Sequence, residues 1–459
     1  MQVKGAPLTL GTENVSKLLK QYAIPAIIAQ TATSLYNMID SIFIGHGVGP
    51  MALSGLAVTF PLMNLSTAFG TLVGVGSATM ISMRLGQKDY KSAQNILGNA
   101  VVLNVIIGSL FALIAYLFLD PILYFFGASD ETLPYARDYM EILLLGNVVT
   151  HMYFGLNNIL RASGQPKQAM RATIMTVVIN TILDPIFIFG FGWGIKGAAI
   201  ATVMGQLIAL VWQFKFFAND DNILHFKRGI YKLKKQIVTP ALSIGISPFL
   251  MNIASSMIVI LINQALSRHG GDLAIGAFGI VNRIEFLFFM IVFGFNQGMQ
   301  PIAGYNYGAQ QYHRVTEVLR LTIRWATLVT CIGFIIGMVI PELAVSSFTL
   351  DEDLKKLSVQ GLRITTIMFP FIGFQMVTSN FFQSIGMVKK SIFLSLTRQV
   401  LFLIPSLIIG AHYWGVLGVW ISIPVSDFLA SITSGIMLWR QFVFFRKKGD
   451  ESKVAQIAE

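Results

Sequence analysis

The chain has 459 residues, of which 54% are apolar and 12% charged, with a mean hydropathy of +0.67. Soluble domains carry about 25% charged residues, so a soluble enzyme with one large core is excluded and the composition is that of a polytopic membrane protein. The formal charge of +11 reads as the Lys and Arg excess of cytoplasmic loops, not as a nucleic-acid footprint.

Twelve hydrophobic segments follow in chain order, near 20–45, 52–80, 94–119, 135–160, 169–191, 196–217, 238–266, 273–299, 316–341, 358–384, 391–412 and 415–444. Each is long enough for a hydrocarbon core that takes about 20 helical residues. Helices satisfy their own backbone hydrogen bonds in lipid, and the strand alternation of a transmembrane barrel is missing. The expected fold is therefore all-α, with twelve transmembrane helices. The first segment follows a polar stretch and precedes eleven others, so it is expected to remain as a span rather than be removed as a leader. Cys331 is the single cysteine, which leaves no disulfide framework and no cysteine metal site.

The stretch 218–237 (ANDDNILHFKRGIYKLKKQI) is the longest polar interruption. It reads as a cytoplasmic linker, expected to be an amphipathic helix on anionic headgroups. It separates an N-terminal six-helix lobe, 1–217, from a C-terminal one, 238–444, with a cytoplasmic tail at 445–459. With the N-terminus inside, 26 of the 33 Lys and Arg fall in or beside inner regions, six fall outside, and Arg283 lies within a span. Both termini are thus predicted to be cytoplasmic, as an even number of spans requires.

The halves repeat. A shift of 222 places Ala52, Gly76, Gly86, Tyr90, Asn158 and Gly164 on Ala274, Gly298, Gly308, Tyr312, Asn380 and Gly386. At a shift of 223, Pro25 meets Pro248 and Asp40 meets Asn263; at 220, Asp184 meets Ile404. Six spans per half give both halves the same orientation, the parallel repeat of some transporters. The scaffold is shared, but the two carboxylates belong to the first half alone.

Charges inside spans are functional candidates by default. Thr176, Asn180 and Asp184 recur at four-residue spacing on one face of span 5, and Pro185 frees a backbone carbonyl beside them. Tyr36, Asn37 and Asp40 give span 1 a similar face. Asn157 and Asn158 in span 4, with Thr202 and Gln206 in span 6, are the residues that would complete a polar cluster in the first half. Two carboxylates in such a pocket resist joint ionisation, so one is expected to hold a proton; the same oxygens suit a hard cation such as Na⁺. In span 8, Glu285 is a candidate for attracting a cationic ligand or for pairing with Arg398 or Arg283. Asp427, Glu141 and His151 read as structural residues. Glycines four apart, as in Gly70/Gly74 and Gly294/Gly298, suit close helix packing.

No phosphate-binding G-x-x-x-x-G-K-[ST] loop, zinc-protease motif or nucleophile triad is present, so ATP hydrolysis through a P-loop and enzymatic chemistry are not expected. Neither a selectivity-filter-like loop nor an Arg-rich voltage-sensing helix suggests a channel. Energy for movement across the membrane would come from an ion gradient or from the substrate's own.

Over essentially its full length the chain resembles a bacterial multidrug and toxic compound extrusion (MATE) transporter. The resemblance rests on YNMIDSIFIG (36–45), RLGQKDYKSA (84–93), LRASGQPKQAM (160–170) and especially NTILDPIFIFGFGWGIKGAAIATV (180–203). It is closest to the prokaryotic branch with its ion site in the N-terminal lobe, and it implies Asp40, Asn157, Asn180, Asp184 and Thr202 as the ion-linked set. A second branch places a coupling carboxylate on span 7, where this chain has none.

The expectation is then a monomeric, multi-pass exporter in the cell (inner or plasma) membrane. It would move cationic amphipathic compounds in exchange for H⁺ or Na⁺ by alternating access of two lobes, with no cofactor, no resident metal and no nucleic-acid partner. Tyr36, Asn37, Gln206, Arg283 and Glu285 are the candidate residues for substrate in the cleft. The competing readings are a flippase for lipid-linked precursors, which would need a more cationic cavity than these few intramembrane Arg residues supply, and an ion channel.

Overall fold

The computed structural model describes residues 9–349 and 351–458, and the described residues are helical almost throughout, with no strand among them. The twelve expected segments fall on twelve helical rods. In the first half these are α1 (Val15–Gly47), α2 (Pro50–Gly86), α3 (Tyr90–Leu117), α4 (Leu133–Leu145 continued by Asn147–Ala162), α5 (Pro166–Pro185, continued by the wider turns of Ile186–Gly190) and α6 (Gly194–Phe217). The second half supplies α7 (Lys235–Gly271), α8 (Leu273–Gly308), α9 (Tyr312–Val339) and α10 (Glu352–Thr366 continued by Phe369–Ser384). A last long helical stretch is broken at Gly415 into α11 (388–414) and α12 (416–458). Eight described helices are long and apolar enough to cross a membrane, nine when the two segments of α10, bent by 56°, count as one.

Local chemistry sets the boundaries. Proline occupies the first turn at Pro50, Pro134, Pro166, Pro341 and Pro370, where its missing N–H would have had no partner anyway. Asp89 caps α3 by accepting from Ser92 N at 3.0 Å, and Asp351 caps α10 by accepting from Leu354 N at 2.7 Å. Such caps stabilise a helix start by about 1 kcal/mol.

The internal repeat reaches the backbone angles. Gly49 breaks α1 from α2 at φ 113°, and 222 residues on Gly271 breaks α7 from α8 at φ 63°. Both φ values are reached freely only without a Cβ. Lys88 and Gln310 are the non-glycine residues at positive φ among those described, at 60° and 59°, and they too stand 222 apart. The same shift carries both ends of α3, Tyr90 and Leu117, onto the ends of α9, Tyr312 and Val339.

The described chain forms two compact units whose borders differ from the lobes read from the linker. One contains Ile28–Asn252; the other contains Glu13–Ile27 and the chain from Ile253 onward. The N-terminal turns of α1 therefore count with the second unit, and those of α7 with the first. Each border lies a few residues past the symmetric prolines Pro25 and Pro248, where a missing N–H weakens the helix. Small residues allow these packings: a Cβ on Gly298 would stand 2.7 Å from Ala23 N, and one on Gly294 would stand 2.9 Å from Ile27 Cα. Each unit has its own apolar core, around Leu62, Tyr139 and Leu144 in the first and around Ile284, Leu362 and Trp420 in the second.

The linker is not an amphipathic helix. Residues 218–234 form turns and irregular chain strapped to α3. Asn99, fully buried, donates to the carbonyls of Ile230 and Lys232 at 3.1 Å each and accepts from Lys234 N at 2.9 Å. Buried backbone groups need partners, and one asparagine supplies three. The Asp220/Asp221 and Gly229 breaks interrupt helical continuity at the places where polar and turn-forming residues cluster.

Candidate functional site

The first unit concentrates polar atoms between α1, α5 and α6. Asp184 is fully buried on α5, and Asn180, one turn earlier, donates to Asp184 Oδ1 at 3.3 Å and to Thr202 Oγ1 at 3.2 Å. Gly205 allows α6 to approach this closely, because a Cβ there would meet Thr176 O at 3.0 Å. Across the site the Tyr36 hydroxyl of α1 lies 3.2 Å from the same Thr202 oxygen. One turn beyond Tyr36 comes Asp40, 5% exposed, with its carboxyl within hydrogen-bonding reach of the Asp184 carboxyl.

Two carboxyl groups in contact supply acceptors and no donor unless one is protonated. Asp40 Oδ1, Asp184 Oδ2 and Asn180 Oδ1 are buried without a hydrogen-bond partner, and buried acceptors are seldom left so. Fully ionised, the pair would place two like charges in an apolar interior, which is strongly unfavourable. A proton between the carboxyls resolves the conflict, and so does a small hard cation held by the oxygens. The donor set fits either ion. Among the described residues no group of three His, Cys, Asp or Glu could hold a metal, so such a cation would depend on amide and hydroxyl oxygens as well.

The remaining candidates divide. Asn157 turns away from the carboxyls: it donates to Thr173 Oγ1 at 3.1 Å and accepts from Arg161 Nη1 at 2.8 Å. Gln206 accepts from Thr150 Oγ1 at 2.5 Å, and Asn37 is exposed. Tyr139 of α4 is a member of the cluster that the sequence did not mark; it is buried beside Asp40 and Asp184, within reach of Thr202. Nothing in its local pattern separates it from twelve other tyrosines. His151 is buried against Gly70 and Gly108 with Nε2 3.2 Å from Ser66 Oγ, yet its Nδ1 has no partner, so it is only half satisfied.

In the second unit Arg283 is exposed and Glu285 is buried. Arg398 pairs with neither: its Nε donates to Asp427 Oδ1 at 2.6 Å. Arg398 lies within α11 and neutralises a buried carboxylate of α12.

The MatE family model matches the chain twice, over residues 25–186 and 248–408, once in each half of the repeat. The multidrug export protein MepA of Staphylococcus aureus strain MSSA476 is 26% identical over 425 residues, covering 93% of this chain and 94% of MepA. MepA of Staphylococcus haemolyticus is 26% identical over 414 residues, covering 90% and 91%. In fold, the chain is similar to a crystal structure of MATE in the bent conformation, with a TM-score of 0.91 at 24% identity over 96% of this chain and 98% of that one. Twelve helical rods in two repeated sets, each set matched by the same family model, place the chain in the MatE family, as a multi-pass membrane transporter and not an enzyme.

Proposed function

We propose that this chain is a secondary-active multidrug exporter that moves cationic amphipathic compounds out of the cell in exchange for H⁺ or Na⁺. The observation that carries this is the Asp40–Asp184 contact, with its buried unpartnered oxygens. The multidrug export named for the MepA relatives supports the class of cargo. The coupling set is Asp40, Asn180, Asp184 and Thr202, with Tyr36 and Tyr139 shaping its wall. Asn157 acts at one remove, through Thr173 and Arg161. The units alternate access across the plasma membrane, with both termini cytoplasmic and the monomer as the working form. An ion drives this cycle only by binding one state more tightly than the other. One uncompensated elementary charge moving through about 100 mV supplies about 2.3 kcal/mol, enough for a concentration ratio of roughly fortyfold, whereas a monovalent cation exchanged for one H⁺ or Na⁺ moves no net charge and draws on the ion's concentration gradient alone.

The test is efflux of a fluorescent organic cation from proteoliposomes under an imposed pH or Na⁺ gradient, beside Asp184→Asn. Export driven by one gradient and lost in the variant identifies antiport and its ion. Gradient-driven export that survives the substitution places coupling elsewhere. Cation flux that responds to neither gradient overturns the reading.

A further inference from the structure

The C-terminal turns of α7 and α11 enclose a cavity of about 460 Å³ that lies wholly within the second unit. The two helices pack through Ile262, Leu266, Leu407 and Ala411 of one apolar core. Along each helix the lining changes character in the same direction. On α7, Leu261 and Ala265 give way to Arg268 and His269; on α11, Leu407 and Ile408 give way to His412. Seven helical residues, about 10 Å, separate Leu261 from Arg268. The cavity is therefore apolar at one end and carries a guanidinium and two imidazoles at the other, and among the described residues no carboxylate lines it.

Its surroundings fix its level in the membrane. Tyr413 and Trp414, directly after His412, are 72% and 60% exposed, and such side chains collect where headgroups meet hydrocarbon. Ile408 and Ile409, one turn earlier, are exposed as well, as residues facing lipid tails are. Of the other Lys and Arg predicted to lie on the outer side, Arg137, Lys196, Lys355 and Lys356 each pair with a carboxylate. The exposed guanidinium of Arg268 has neither an ion pair nor a hydrogen bond among the described residues. The His269 ring is pinned by its Nδ1, 2.8 Å from Ala265 O. Cations in a last helical turn also complement the free carbonyls there, a role that requires neither a shared cavity nor an apolar track.

We propose that this cavity binds one anionic phospholipid, its phosphodiester held by Arg268 between His269 and His412 and an acyl chain laid along Leu261, Leu407 and Ile408. The source is the bilayer and not a dissolved phosphate, because the apolar end of the cavity lies beside lipid-facing isoleucines. A zwitterionic headgroup would bring an ammonium to a site without a carboxylate, so an anionic one is preferred. With both termini cytoplasmic, the lipid belongs to the outer leaflet. Once bound it bridges α7 and α11 at their C-terminal ends. The site is independent of the carboxyl pair in the first unit and of the ion that drives export.

The experiment titrates the full-length protein, purified in detergent, with phosphatidylglycerol, phosphatidylethanolamine or inorganic phosphate, and reads bound ligand by native mass spectrometry. One phosphatidylglycerol is expected to bind about fivefold more tightly than phosphatidylethanolamine, and inorganic phosphate should not displace it. Arg268→Gln should weaken that binding about tenfold, the order of one hydrogen bond to a charged group, and Arg268→Lys should restore part of it. Ile408→Trp, which narrows the apolar track without changing charge, should weaken it too; Ile409→Trp, outside the cavity, should not. All three side chains are exposed, so the variants keep the fold. Equal affinity for the two lipids, or phosphatidylglycerol binding unchanged in Arg268→Gln, overturns the proposal. Displacement of the lipid by inorganic phosphate also overturns it, since that would mark a site for a free anion. So does an Ile408→Trp effect no larger than that of Ile409→Trp, which would leave the apolar track without a role.

Discussion

The Tyr36 hydroxyl lies 3.2 Å from Thr202 Oγ1, joining α1 to α6 across 166 residues of chain. Thr202 is also the second acceptor of the Asn180 amide, so one hydroxyl ties three helices around the carboxyl pair. Removing either partner releases about 1 kcal/mol of hydrogen bonding and loosens the geometry in which Asp40 meets Asp184. Tyr36→Phe and Thr202→Val are each expected to raise the coupling-ion concentration for half-maximal efflux by roughly fivefold, at about 1.4 kcal/mol per tenfold change. In the double variant the effects should fall short of additive, because both substitutions remove the same contact. The measurement is ion-dependent efflux in proteoliposomes, and strictly additive effects would show that the bond does not serve the ion site.

Activity and stability should part at the carboxyl pair. Asp40→Asn or Asp184→Asn replaces one of two facing acids by a neutral amide of similar size, which can donate into the unpartnered oxygens. Each single variant is expected to unfold at the wild-type temperature or above it, while gradient-driven export falls by at least tenfold. Thermal unfolding followed by tryptophan fluorescence, beside efflux, checks this. A large loss of stability in both variants would mean that the pair is a structural ion bridge.

Close approach of α5 and α6 depends on the missing side chain at Gly205. A leucine there would drive its Cβ into Thr176 O and crowd Asn180, whose Cβ lies 3.5 Å from the same point. Overpacking of this kind costs about 1–3 kcal/mol. Gly205→Leu should part Asn180 from Thr202 and abolish coupled efflux, while Gly279→Leu, with open space around it, should be tolerated. The comparison controls for the mere addition of an apolar side chain.

The twelve rods were legible because hydropathy and length are properties of a segment, and the repeat because equal turns need equal residues: Gly49 with Gly271, Gly164 with Gly386. The face of α5 was legible for the same reason, since its spacing of four aligns Asn180 with Asp184. Pairings across helices were not. Whether Asn157 meets Asp184 or Thr173 depends on the rotation of two helices about their axes, and periodicity within either helix is silent on that. The segment 391–412 contains Arg398, but nothing within it shows that Asp427, 29 residues on, stands opposite. Tyr139 carried no local signal at all. The linker misled because its alternating basic and apolar residues suit a membrane surface, whereas the partners that fix its path are Gln94 and Asn99 of α3.

The pair formed by half-buried Arg398 and buried Asp427 gives the sharpest stability prediction. Asp427 is 2% exposed and its Oδ1 accepts from Arg398 Nε at 2.6 Å. Arg398→Gln leaves the carboxylate in an apolar interior without its cation, a loss typically of about 3–5 kcal/mol. Adding Asp427→Asn removes the stranded charge, and the double variant should regain most of that stability, because two neutral amides can hydrogen-bond to one another. Thermal or denaturant unfolding of the four proteins in one detergent completes the cycle. Failure of Asp427→Asn to rescue would mean that Arg398 answers mainly to another acid, and Glu285 is the neighbour positioned to be it.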